Sequence, residues 1–514
     1  MMLNRSSRMA ALALAAGLLL STAACSSDSS GSSNDAAAGV ADGKPLDPNA
    51  TVTISIDCAP GADQAAGKAN YADDLALFKT KYPNVTINAK PYVGQCEVPA
   101  QQTAQYKAHD ETGAFHAYFT DRDATLNSGD AQDITKYVND ETLPGFSSML
   151  PSVKDNMTVD GKVYALPINY YTTGLVYNRD LFKQAGLDPD KPPTTWDEVQ
   201  AAAKKIAALG NGISGYEDYS GGNTGGWHFT SELYSLGGKM VTDDGKKAAF
   251  NSAEGKQVLK RLHDMRFTDQ SISATPVTQW ADAFPPLATG KVGMFLGAPD
   301  VVKHLIEVLG ADAKAYGLGP MPGATGPGNS LGGGDLYYIK KGQTPNQIKA
   351  EIAWINFQYQ TPDAGQFNFS RAKTLADSSK DPVAIAVPQP YFWSAESPQI
   401  KAITESLKTN GNLPLSNYDP YIKNPTKSIT EPPAAQQLYK ILDTAMSAAM
   451  TDANANIDSL LATAETQANQ ILAPQSPATG AAPPPAPPAR GAPRAPPRPA
   501  PPAAPGPPTR SRHP

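Results

Sequence analysis

The stretch from Val163 to Gln200 constrains the fold more than any other part of this chain. It is an apolar, β-rich run, Val163 to Tyr171 and on through Thr172 to Phe182, followed by a turn and a helix start. Pro167 stands inside the run, and a proline has no N–H to give to a sheet ladder. The run therefore reads as two extended pieces joined by an interdomain crossing, Ile168 to Thr173. After Gly186, the residues Pro192-Pro193-Thr194-Thr195-Trp196-Asp197-Glu198 read as a helix start, with Thr195 as N-cap and Glu198 closing a capping box. That helix runs to Leu209 and stops at Gly210.

A chain of 514 residues with 40% hydrophobic content can bury a large core, enough for roughly two to four domains. Its 43 basic and 49 acidic residues give a net charge of -6, which offers no electrostatic reason to bind nucleic acid. The N-terminus carries Arg5 and Arg8, an apolar run from Met9 to Leu20, and then Ser21-Thr22-Ala23-Ala24-Cys25, the three-part layout of a secretory signal. Small residues just before a cysteine resemble a bacterial lipobox, so residues 1–24 read as a signal peptide and Cys25 as the lipidated first mature residue. The alternative is an ordinary secreted protein with Cys25 unmodified or removed. Residues 25–50 are rich in Ser, Gly, Ala and Asp without periodicity, as expected of a flexible tether.

From Thr51 to Asp57 the apolar residues alternate, as in a short strand; Tyr71, Leu75, Phe78 and Tyr82 then share one face of a helix that Pro83 ends. A strand from Val85 to Ile87 follows, and this βαβ start predicts a parallel sheet with a right-handed crossover. Ala114 to Phe119 reads as a further strand that delivers Thr120-Asp121-Arg122 to its C-terminal end, where open α/β sheets bind ligands. Two amphipathic helices, one around Leu438, Leu442 and Met446 and one around Leu461, Ala464 and Ala468, close the folded part. Residues 474–514 are rich in Pro, Ala and Arg and hold no acidic residue, a composition expected to be disordered or polyproline-like.

Leu166-Pro167, Tyr177 to Phe182 and Thr195 to Glu198, in that order, resemble the family of extracellular solute-binding proteins that feed sugars to ABC transporters, the maltose-binding-like class. The likeness covers Thr51 to Ala473. It implies an α/β, two-lobed, periplasmic-binding-protein-like (type II) fold, each lobe a parallel-rich sheet flanked by helices, with hinge crossings between them. Lobe 1 would comprise residues 51–168 and 320–380, and lobe 2 residues 173–318 and 385–473. Hinges would lie near Ile168 to Thr173 and Gly319 to Gly323. The resemblance also implies a carbohydrate ligand, ABC permease subunits as partners, a monomer, no cofactor, and a place on the outer face of the cytoplasmic membrane through the lipid anchor.

The same likeness names candidate ligand-binding residues. Asp57 follows the first strand, where relatives often place an aromatic or acidic residue. Tyr118, Asp121 and Arg122 fall in the loop that grips sugar hydroxyls, and a carboxylate or guanidinium suits that task because each makes two directed, charge-assisted hydrogen bonds. Trp227, after the glycine-rich Gly221 to Gly226, takes the place of an aromatic that stacks on a sugar ring. Gly297-Ala298-Pro299-Asp300 replaces the usual Gly-Pro-Trp, leaving Asp300 to bond a hydroxyl. Tyr170 and Tyr171 on the first crossing, with Gly334 and Asp335 on the return, complete the set. Tyr391, Phe392 and Trp393 are either cleft aromatics or lobe-packing residues.

Cys58 and Cys96 follow the first two strands, whose ends should be neighbours, and an exported chain meets an oxidising compartment, so a disulfide is expected. Two unpaired thiols are the alternative, and a metal site is poorly supported by two cysteines with no nearby histidine cluster. For catalysis, Gly328-Asn329-Ser330-Leu331-Gly332 fits the nucleophile-elbow formula, yet a Pro/Gly loop precedes it, a strand follows, and the later histidine is His513. No metal-binding histidine pair, P-loop or dinucleotide fingerprint occurs, so a binder is expected rather than an enzyme. The alternatives are the same scaffold carrying a peptide or polyamine and, from a different class, a lipid-anchored hydrolase.

Overall fold

The computed structural model describes residues 42–62, 65–92, 96, 99–275, 279–379, 392–411, 413–424 and 426–473. The expected signal peptide, most of the tether with Cys25, Tyr391 and the Pro/Ala/Arg-rich segment lie outside the described residues. The strands in chain order are β1 (Val52–Pro60), β2 (Val85–Tyr92), β3 (Ala114–Tyr118), the small hairpin β4 (Thr158–Val159) and β5 (Lys162–Val163), β6 (Ala165–Thr172), β7 (Gly174–Asn178), β8 (Ser214–Glu217), β9 (Val292–Gly297), β10 (Tyr316–Gly319), β11 (Ser330–Ile339) and β12 (Ser428–Ile429). They build two main sheets, one in the order β12-β11-β3-β1-β2 with β6 also on β11, the other in the order β10-β7-β9-β8. β1 runs parallel to β2 and β3, as the βαβ start predicts, and β8 parallel to β9. The pairs β3/β11, β6/β11, β7/β9 and β7/β10 are antiparallel, so both sheets are mixed rather than parallel-rich.

Each sheet has its own core. Around the first, Ile54, Ile56, Phe78, Phe115 and Trp354 are buried together. Trp354 is fully enclosed and meets Tyr71 and Phe78 edge-on, with ring centroids 5.4 and 5.1 Å away. The second sheet is covered on both faces, which is why Gly174 to Asn178 reads as unbroken apolar sequence. Leu175 and Tyr177 join a core with Trp196, Phe229 and Leu442, while Val176 joins one with Phe284, Phe295 and Leu305. The helix Trp196–Ala207 starts at the predicted capping box: Thr195 Oγ1 accepts from the Glu198 amide at 3.2 Å, and Glu198 Oε2 accepts from the Thr195 amide at 3.1 Å.

The crossing differs from expectation. Pro167 lies inside one continuous strand, β6, which among the described residues pairs only with β11; as an edge strand it tolerates the missing N–H, and the register slips by a residue just beside Pro167. β6 ends at Thr172 in the first sheet and β7 begins at Gly174 in the second, so Thr173 is the crossing residue. On the return, Gly319–Gly323 stays with the second lobe, where Gly323 exchanges backbone hydrogen bonds with Thr194 and Trp196. β11 itself makes the passage, with Leu331 in the second core and Leu336 in the first. The helix Pro398–Asn410 corrects the expected boundary at residue 385, because its Ile403 and Leu407 are buried in the first core. Phe392 and Trp393 are buried there too, so these two are lobe-packing residues.

Candidate ligand-binding cleft

At the crossing, hydroxyl groups hold two strands and a helix together. Thr173 Oγ1 lies 2.7 Å from Ser231 Oγ and 2.9 Å from Ser330 Oγ, and Ser330 Oγ donates to the Thr173 carbonyl at 3.1 Å. Tyr421 Oη sits 2.6 Å from Thr172 Oγ1. Ser330 thus opens a strand inside a buried hinge and is not carried on a strand-to-helix elbow.

β6 and β11 then run side by side, with Gly332, Gly333 and Gly334 opposite Thr172, Tyr171 and Tyr170. Side-chain alternation separates the two tyrosines. Tyr170 is buried in the first core with its hydroxyl 3.2 Å from Ser152 Oγ. Tyr171 projects the other way across β11, and a Cβ on Gly333 would stand 2.3 Å from its hydroxyl oxygen. A Cβ on Gly334 would meet the Asn169 carbonyl at 2.4 Å. The glycines therefore make room for neighbouring protein atoms.

Tyr171 is where the two lobes meet. Burial raises its hydroxyl well above its usual range, and the nearby charges of Glu431, Asp335 and Asp300, with Tyr118, act in the same sense. Asp335 belongs to β11 in the first lobe; Asp300 sits in the first turn of the helix Pro299–Glu307 in the second. Trp227 faces Tyr171 with centroids 6.3 Å apart and planes at 67°. Glu431, near the Trp227 side chain, accepts from Tyr439 Oη; burial nevertheless pushes its carboxyl up to about 8. Trp227 stands in the first turn of a helix, Thr224–Ser235, and not in a glycine loop. Gly226 has a packing reason instead, since its Cβ would lie 2.2 Å from the Tyr439 carbonyl oxygen, while Asp443 receives the Asn223 and Gly226 amides at 2.6 and 2.8 Å.

The first-lobe wall consists of Asp57, His116, Tyr118 and Asp335. Burial pushes the Asp57 carboxyl up to about 6 against the charge and backbone amide of His116, which donates at 3.0 Å. Asp335 accepts from Asn169 Nδ2 and lies 3.6 Å from His116 Nε2. Tyr118 pairs opposite Asp335 and is 37% exposed. Asp121 occupies a short turn after β3, close enough to raise Glu431 across the lobes. Arg122 is directed elsewhere: Nε and Nη2 donate to Asp123 Oδ1 at 3.2 and 3.1 Å, and Nη1 to the Asp155 carbonyl at 3.1 Å. These contacts tie it to its own lobe. Asp300 is exposed to water, yet the surrounding protein raises its carboxyl, with the Val301 and Asp300 amides opposing. Gln436 Nε2 donates to Thr120 Oγ1 at 3.0 Å and bridges the lobes at this side of the cleft.

Cys58 and Cys96 are bonded, with Cα atoms 5.2 Å apart, inside the usual disulfide range. The structure also brings in a residue that sequence reasoning did not place there: a His116 ring nitrogen lies within 4.8 Å of both sulfurs. Bonded sulfurs cannot act as thiolate ligands. A chain begun after Cys25, unfolded without reductant, should therefore yield no free thiol; two thiols would break the pairing and reopen a Cys/His metal reading.

Residues 60–362, more than half of the chain, match the bacterial extracellular solute-binding protein family. The chain belongs to that family. A binding protein of Brucella abortus (strain 2308) is 30% identical to this solute-binding protein over 247 residues, 46% of this chain and 55% of the relative. The sn-glycerol-3-phosphate-binding periplasmic protein UgpB of the same strain is 30% identical over 213 residues, 39% and 46% of the two chains. The chain spans about half the length of the curated relatives it matches. Among solved structures, an ABC transporter solute-binding protein of Thermotoga lettingae TMO bound with alpha-D-tagatose superposes with a TM-score of 0.63 at 20% identity, covering 82% of this chain and 99% of that one. The GacH receptor of Streptomyces glaucescens, solved unliganded and with acarbose, gives 0.62 at 18% identity, covering 82% and 98%. These likenesses show the fold, a two-lobed α/β binding protein. Among the described residues no helix is long and apolar enough to cross a membrane.

Proposed function

We propose that this solute-binding protein clamps a carbohydrate between its lobes and delivers it to an ABC importer, tethered through a lipidated Cys25 to the outer face of the cytoplasmic membrane. The observation that carries the reading is the setting of Tyr171: one aromatic hydroxyl within the field of carboxylates from both lobes, with Trp227 across from it. Sugars present apolar C–H faces and hydroxyl edges together, and aromatic rings beside carboxylates match both. Asp121, Asp300, Asp335, Glu431, Tyr118, Tyr171 and Trp227 are the residues assigned to the ligand, and Thr173 with Leu331 to the hinge. The sugar-bound relatives support this reading, and so does the lipobox-like sequence before Cys25.

A thermal-shift screen against mono- and oligosaccharides tests it. A ligand held by the native state at a hundred times its Kd adds about 2.7 kcal/mol of stability, a shift of several degrees. The sugar should come back chemically unchanged. No shift with any sugar removes the reading, and turnover replaces a binder with an enzyme.

A further inference from the structure

We infer that Gln436 is a positioning residue of the cleft: its side-chain amide fixes the start of the Trp227 helix in the second lobe against the Thr120-Asp121 turn in the first. The inference rests on the reading that these two elements hold the ligand, and it adds what sets the gap between them. Gln436 is the second residue of the helix Ala435–Thr451, whose Leu438 and Leu442 are buried in the second core. Its Nε2 donates to Thr120 Oγ1 at 3.0 Å, across the lobes, and its Oε1 accepts from Asn223 Nδ2 at 2.8 Å. Asn223 is the N-cap of the helix Thr224–Ser235, and its carbonyl accepts from the Trp227 amide at 3.2 Å. Thr120 Oγ1 in turn lies 3.4 Å from Asp121 Oδ2. One carboxamide thus joins the neighbours of two residues assigned to the ligand, one in each lobe.

An N-cap asparagine ordinarily accepts from the first amides of its own helix. Asn223 makes no such bond, and its φ of 65° is a left-handed conformation that asparagine tolerates better than most side chains. The capping falls instead to Asp443, about two turns along the Gln436 helix, which accepts from the Asn223 and Gly226 amides at 2.6 and 2.8 Å. That releases the Asn223 side chain to reach Gln436. Donors and acceptors match along the row: Asn223 donates to Gln436, Gln436 donates to Thr120, and the Thr120 hydroxyl keeps its proton for Asp121. A glutamine supplies donor and acceptor on one planar group, whereas glutamate lacks the donor and methionine, of similar length, has at most a weak acceptor. Thr120, Asn223 and Gln436 are all half-buried, so water competes only in part for these bonds. Because the bond to Thr120 exists only while the lobes are together, it favours the closed side by about two- to tenfold before a ligand arrives, and a solute too large for the gap forfeits it.

Hydrogen exchange on the unliganded full chain, read by mass spectrometry, tests this without a ligand, so a failure of the sugar reading leaves the result intact. Thr120→Val removes the hydroxyl from the first lobe and Gln436→Met removes the amide from the second. Thr120→Val should speed exchange at residues 223–227, in the opposite lobe, by about two- to tenfold. Gln436→Met should do at least as much, and the double change should add nothing beyond Gln436→Met alone. The strands β7 and β9, inside the second lobe, should exchange at the wild-type rate throughout, which separates positioning from a general loss of stability. Unchanged exchange at 223–227 in Thr120→Val, additive effects of the two changes, or equal acceleration in β7 and β9 overturns the inference. Should Gln436→Met fail to fold, Asn223→Gly runs the test in reverse, since glycine suits the left-handed backbone and deletes only the side chain. Exchange in the first-lobe helix Arg122–Ser128 should then rise, and an unchanged rate there overturns the inference as well.

Discussion

Replacing Arg261 by leucine should destabilise the protein by about 3–5 kcal/mol, the range for breaking a buried ion pair from one side. Arg261, on the helix Ala253–Phe267, pairs with Glu232 on the helix Thr224–Ser235, and the two side chains are 5% and 0% exposed. The guanidinium also lies over the Trp196 ring, 4.0 Å from its centroid. Burial lowers the Arg261 pKa to about 10, with Tyr216, Asp218 and Asp197 opposing, so it stays charged at neutral pH. Tyr216 Oη stands between Asp218 Oδ2 at 3.0 Å and Glu232 Oε1 at 3.3 Å, and His228 Nδ1 lies 2.5 Å from Asp218 Oδ1. Without Arg261, Glu232 is a buried carboxylate beside a second one. The double change Arg261→Leu with Glu232→Leu removes both charges and should recover most of the loss. Urea midpoints measure both. A single change costing under about 1 kcal/mol, with no recovery in the double, would show that the pair carries no such burden. The consequence reaches the cleft, because Glu232 and His228 share a helix with Trp227.

Signals made by neighbours in sequence were legible before the structure. The Thr195 to Glu198 capping box is complete within four residues, and the stripe of Tyr71, Leu75 and Phe78 needs only helical spacing. Signals that depend on a distant partner were not. Pro167 looked like a break because its strand's edge position is set by β11, some 170 residues later by the pairing Leu336 with Pro167. The glycines at 333 and 334 carry no sequence sign of their packing task, because Tyr171 and Asn169, which fill the space a Cβ would take, lie some 160 residues away. Of the candidates, Asp300 and Asp335 both act on the Tyr171 hydroxyl and Trp227 faces its ring, while Tyr170 contacts Ser152 and Arg122 donates to Asp123 and Asp155. Glu431 was missed. It lies before Pro432-Pro433 in irregular sequence with no periodicity, and only the approach of Tyr439 and Trp227 gives it a place.

Trp227→Ala should weaken carbohydrate binding by about 3 kcal/mol, roughly a hundredfold, since it removes the aromatic platform that faces Tyr171. A smaller ring tests the platform itself. Trp227→Phe keeps a ring facing Tyr171 and should cost only about 1 kcal/mol. Neither change touches Thr173, Ser330 or Ser231, whose hydroxyls hold the crossing, so the unliganded hinge should be unaltered. Closure is another matter, because a ligand compacts the protein only by gripping both lobes at once, and Trp227 is the second lobe's aromatic in that grip. Calorimetry beside small-angle scattering reads both quantities. Saturating sugar should shrink the wild-type radius of gyration, and Trp227→Ala should need far more sugar to reach a smaller change. Unchanged affinity in Trp227→Ala would put the sugar elsewhere, and an identical wild-type scattering curve with and without saturating sugar would remove the clamp.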